Sequence, residues 1–121
     1  MILNVDVVEK AANMAMFALE GPLDTTTYMI LEKHVNAVLE HDTMLIVFDM
    51  KGVNYISSAG IRVILKAKKA LKKRKGHVLL IYLQPQVKKA FDFINALPSM
   101  EAMPIEEVDM YLHQIQEGNN A

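Results

Sequence analysis

Cysteine is missing from this chain of 121 residues. That absence removes disulfides, thiolate metal sites and thiol nucleophiles together. It suits a reducing compartment, and a cytoplasmic location is the expectation. Long apolar runs are missing too. A stretch such as Val78 to Leu83 falls far short of the ~20 residues that span a bilayer, so no membrane insertion is expected. The start, Met1-Ile2-Leu3-Asn4-Val5-Asp6, has neither a basic segment nor a small-residue cleavage site and does not read as a signal peptide. No Pro/Gly/Ser-rich linker, internal repeat or low-complexity segment divides the chain. One domain over residues 1–117 is expected, with a polar tail at 118–121.

The familiar catalytic signatures are equally absent. There is no G-x-x-x-x-G-K-[ST] loop and no G-x-G-x-x-G. The histidines at 34, 41, 77 and 113 form no H-x-x-x-H pair and read as surface or element-end residues, so neither a metal nor a cofactor is expected. Ser57-Ser58-Ala59-Gly60 lacks the G-x-S-x-G frame of a nucleophile elbow. A small hydrolase using Ser58 is kept only as an alternative. The chain reads as a binding protein and not as an enzyme.

What is present begins with apolar residues, just over half of the chain, enough for a sizeable core. Nine methionines are many; Met14, Met16 and Met44 read as strand core in preference to an adaptable binding face. A net charge of −1 argues against direct nucleic-acid binding. The basic residues are nevertheless crowded, eight of the thirteen lying between Arg62 and Lys75. This cluster reads as a solvated helix face whose last turn complements the helix dipole. Docking on phosphate or anionic lipid is the alternative.

Alternating Leu3, Val5 and Val7 predict an edge strand, and Met14 to Leu19 a second strand forming a hairpin with it. Gly21-Pro22 breaks the chain, and Asp24 or Thr25 is placed to cap a helix carrying Ile30, Leu31, Val35, Val38 and Leu39. Met44 to Phe48 predicts a strand covered on both faces, followed by a loop from Lys51 to Ser57. Ile61, Ile64, Leu65 and Leu71 mark a second helix stopped by Gly76. Val78 to Leu83 predicts another buried strand. Pro85 opens a third helix with Val87, Ala90, Phe91 and Ile94, ended by Pro98. Pro104 opens the last, with Ile105, Val108, Leu112 and Ile115 on one stripe. There is room for a short fifth strand around Glu101 to Met103. The fold class is α/β: a small mixed sheet of four to five strands packed with about four helices, with right-handed crossovers.

The informative stretch runs from Phe48-Asp49-Met50 through Tyr55-Ile56-Ser57-Ser58-Ala59-Gly60-Ile61-Arg62. A buried strand leads through a loop to a serine pair that opens a helix with small residues in its first turn. Plain helix capping by Ser57 or Ser58 explains it structurally. The same arrangement leaves room for another protein to approach, and a helix N-terminus tolerates phosphate.

This stretch resembles the signature of STAS domains, found in bacterial anti-sigma factor antagonists and at the cytoplasmic ends of sulfate transporters. Asp49, Tyr55-Ile56, Ser58, Gly60 and Ile61 carry the likeness, and Gly21-Pro22-Leu23-Asp24 is similar to the family's G-x-L-D loop. The resemblance implies a STAS-like fold and a phosphorylation-controlled partner switch. The unmodified antagonist would bind an anti-sigma factor serine kinase and free a sigma factor. Phosphorylation by that kinase would end the complex, and a metal-dependent serine phosphatase would restore it. Ser58 falls on the phosphorylated position, with Ser57 as the alternative. Asp24, Thr25, Tyr55, Ser57, Ser58, Ala59, Gly60 and Arg62 are the implied partner-binding residues. The chain departs from the pattern at Ser57, where many members have Asp, at Pro22, where Glu is commoner, and at Arg62, where some have Gly. Four residues beyond Ser58 on the helix, Arg62 is placed to lean back over it. A STAS accessory subunit or regulator of a membrane transport system is the alternative function.

Overall fold

The computed structural model describes residues 2–11, 13–99 and 102–118, without the side chains of Glu9 and Lys10. Strands β1 (Asn4–Ala11) and β2 (Met14–Glu20) form the expected hairpin. Helix α1 (Tyr28–Leu39) leads to β3 (Leu45–Gly52), and α2 (Ser58–Lys73) to β4 (His77–Ile81). Helices α3 (Pro85–Ala96) and α4 (Ile105–Gln116) follow. The strands lie side by side in the order β1-β2-β3-β4. The first pair is antiparallel, and β2, β3 and β4 run parallel. This is the expected mixed sheet.

Burial differs between the two inner strands. In β2 only Ala15, Phe17 and Leu19 are fully buried, every second residue, whereas in β3 Ile46 to Met50 are buried without a break. A strand covered on both faces gives such a continuous run. Among the methionines of the described residues, Met50 is the one in the core; Met14, Met16 and Met44, expected as strand core, are only half-buried.

Three expectations need correction. The apolar run at 78–83 is not a doubly covered strand: β4 ends at Ile81, leaves Leu79 49% exposed, and Tyr82 beyond it is 66% exposed. Its place at the sheet edge, which sequence alone does not give, is the reason. Nor do Ala102 and Met103 extend the sheet; Ala102 N–H bonds Ser99 C=O in a turn, while Glu101 lies outside the described residues. Finally, α1 starts at Tyr28, later than a cap at Asp24 or Thr25 would put it, because residues 24–27 form a turn of their own.

The end of α2 also departs from a purely solvated basic face. Arg74 donates to the carbonyls of His41 (2.7 Å), Thr43 (3.2 Å) and Leu39, the last groups of α1 and the approach to β3. Lys75 takes the left-handed conformation there (φ 63°). Gly76 is required for a different reason: a Cβ on it would lie 2.4 Å from the Met44 carbonyl oxygen.

Candidate functional site

Because β2 and β3 are parallel, their carboxyl ends deliver the two signature loops to the same end of the sheet. Gly21 follows β2 with φ 118°, and its N–H donates to Gly52 C=O at 3.0 Å. Leu23 N–H then donates to Tyr55 C=O and Ser57 N–H to Leu23 C=O, both at 2.9 Å. These bonds make a one-residue parallel bridge between Leu23 and Ile56. Both side chains are fully buried beneath it. Gly60 closes against the same point: a Cβ there would meet Leu23 Cγ at 2.6 Å and its carbonyl oxygen at 2.8 Å.

The first loop is stiffened from within. Asp24 Oδ1 accepts from Thr26 N–H (2.8 Å) and Thr26 Oγ1 (2.7 Å). Thr27 Oγ1 donates to Pro22 C=O and accepts from Asp24 N–H. Partial burial pushes the Asp24 carboxyl up, but the hydrogen bonds from Thr26 and Thr27 together outweigh it and hold its pKa below the ordinary value.

The second loop carries the serines. Ser57 is the N-cap of α2 but makes no side-chain capping bond. Ser58 begins the helix with none of its surface exposed, and neither hydroxyl has a hydrogen-bond partner among the described residues. The orphan N–H of Ser58 is taken by Asp109 Oδ1 of α4 at 2.9 Å. Gln116, the last residue of α4, accepts from Ile56 N–H at 2.8 Å and donates to Ile56 C=O at 2.7 Å. Its amide thereby imitates a neighbouring strand on the side of Ile56 away from Leu23. Tyr55 stacks edge-on against His113 with ring centroids 6.0 Å apart, their O–N separation of 3.5 Å being too long to add much. Burial first, then the charges of Asp109, Glu117 and Asp24, raise the Tyr55 pKa.

A groove of about 500 Å³ runs beside this junction between α1 and α2, lined by Thr25, Tyr28, Ala59, Arg62, Lys66 and Ile105 among others. Thus Thr25, Ala59 and Arg62 reach the surface together, while Ser57, Ser58 and Gly60 lie buried behind it. Asp49 is outside the groove, its carboxylate 3.4 Å from the Lys51 ammonium. The apolar stripe of α4 does not by itself announce a part in this site. Asp109, His113 and Gln116 recur at i, i+4 and i+7 beside it, a polar stripe legible in the sequence, but one whose contacts depend on where the helix docks.

The STAS domain model matches residues 5–111. This chain belongs to the STAS domain family. It is 30% identical over 94 residues to BtrV of Bordetella bronchiseptica, a protein named as an anti-sigma factor antagonist, covering 75% of this chain and 81% of that one. Its fold is that of SpoIIAA, an anti-sigma factor antagonist solved in its unphosphorylated form (TM-score 0.65, 17% identity, 91% of this chain and 98% of that one). The phosphorylated form of the Bacillus protein matches similarly (TM-score 0.62, 19% identity, 90% and 98%). No helix among the described residues is long and apolar enough to cross a membrane.

Proposed function

We propose that this STAS domain is an anti-sigma factor antagonist whose complex with a serine-kinase anti-sigma factor is ended by phosphorylation of Ser58. The observation that carries the reading is the Leu23–Ile56 bridge, which brings the G-x-L-D loop and the serine loop together at the head of α2. The likeness to BtrV supports the role, and the existence of SpoIIAA in both forms supports the switch. Asp24, Thr25, Tyr55, Ala59 and Arg62 form the docking surface, with the adjoining groove receiving part of the partner. Ser57, Ser58 and Gly60 take part once that surface engages. A phosphate brings about −1.5 to −2 charges to an interface fitted to neutral hydroxyls, and Arg62 is available to contact it from the neighbouring turn. A serine phosphatase resets the switch. The protein acts as substrate and ligand, with no catalysis of its own.

Phosphate mapping tests this. The chain, its Ser57→Ala variant and its Ser58→Ala variant are incubated with the cognate kinase and ATP and mapped by mass spectrometry. Phosphate is expected on Ser58 in the wild type and in Ser57→Ala, and lost in Ser58→Ala. Modification that survives Ser58→Ala and disappears in Ser57→Ala moves the site to Ser57.

A further inference from the structure

The geometry points to α4 as a latch that keeps Ser58 shut and that must release before the hydroxyl can be reached. Phosphoryl transfer needs Ser58 Oγ in line with the γ-phosphorus of a nucleoside triphosphate, its proton passing to a base of the kinase as the diphosphate leaves. With none of the residue exposed, that approach is closed in the state described above.

What closes it is specific. Asp109 sits on the Ser58 amide, and Gln116 holds both backbone groups of Ile56, two residues earlier. Neither contact comes from the sheet or from the helix that carries the serine. Helix α4 contributes no strand, so lifting its polar stripe breaks no ladder bond. Its fully buried residues are Val108 and Leu112, while Ile105 at the head of the same stripe and Met110 are exposed, and Tyr111, also exposed, packs on Phe93 of α3. An element with few buried anchors and side-chain hydrogen bonds at its tip is suited to local opening without global unfolding. The consequence for switching rests on the phosphoacceptor reading above. Once formed, phospho-Ser58 would set its negative charge near the Asp109 carboxylate, and like charges would keep the latch from closing again.

Since the chain has no cysteine, Ser58→Cys places a single, nearly isosteric thiol at the position in question. Its reaction with Ellman's reagent reports access without kinase or nucleotide. Two single-thiol controls accompany it: Asn54→Cys in the exposed part of the same loop, and Thr43→Cys, buried at the opposite end of β3. Ser58→Cys is expected to react far more slowly than Asn54→Cys. Adding Gln116→Ala, or separately Asp109→Ala, should accelerate it roughly tenfold, as the loss of one or two hydrogen bonds allows, with Thr43→Cys unaffected. Reaction of Ser58→Cys as fast as the exposed control overturns the latch, as does a slow rate unchanged by both α4 substitutions. Equal acceleration of Ser58→Cys and Thr43→Cys also overturns it, since the opening is then global. A negative labelling result leaves the phosphate mapping to stand, and a negative mapping result leaves the latch to stand.

Discussion

Two hydroxyls at the head of α2, those of Ser57 and Ser58, are buried without partners among the described residues, and leaving such a group unpaired costs about 1–3 kcal/mol. Stability alone would favour alanine at either position, particularly in the first turn of a helix. Ser58→Ala is therefore expected to gain roughly 1 kcal/mol in urea unfolding. A loss of that size would mean that the hydroxyl is satisfied in solution and that the site is not held at a stability cost. Asp24 is the opposite case, a partly exposed carboxylate that organises its loop through Thr26 and Thr27. Its folded pKa lies below the unfolded one, so its contribution is present above about pH 4 and fades as pH falls through the folded pKa. The stability gap between wild type and Asp24→Ala should thus be largest near neutrality and narrow in acid. A gap that stays constant from pH 7 to pH 3 would show that the ionised carboxylate is not what stiffens the loop.

At the scale of elements, α2 is tied at both ends by groups outside itself. Asp109 takes the first N–H, and at the far end Arg74 gathers three carbonyls from α1 and the segment before β3. The planar fork of a guanidinium suits that task and a lysine ammonium does not. Arg74→Lys should lower unfolding stability by about 1–2 kcal/mol while leaving the access of Ser58 unchanged, because the two ties sit at opposite ends of a sixteen-residue helix. Faster thiol labelling at position 58 in that variant would mean that the ends of α2 are coupled. The apolar stripes of all four helices were legible because a period near 3.6 reports which side meets a core. The local sequence also carried the serine pair at a helix start. It could not reveal that Ser57 forms no side-chain cap and that the Ser58 amide is satisfied from α4, 51 residues further along the chain.

The whole molecule has two unlike ends. At the amino ends of the parallel strands, Asn13, Met44 and His77 bond backbone to backbone and the Arg74 guanidinium donates to the Thr43 carbonyl, closing the fold. At the carboxyl ends two loops meet in a single bridge beside an open groove. The order of strands and helices, the continuous burial of β3 and the two signature loops were all fixed by local pattern. Side-chain period, turn residues and caps act over a few positions, so they can be read in one dimension. The edge position of β4, the burial of Ser58 and the role of Gln116 were decided by tertiary structure alone. Each depends on which surface comes to rest against another. An apolar run such as Val78 to Ile81 reads the same at an edge as in the middle of a sheet, and a glutamine near the end of a helix reads as solvent-facing until a loop 60 residues away presents its backbone to it.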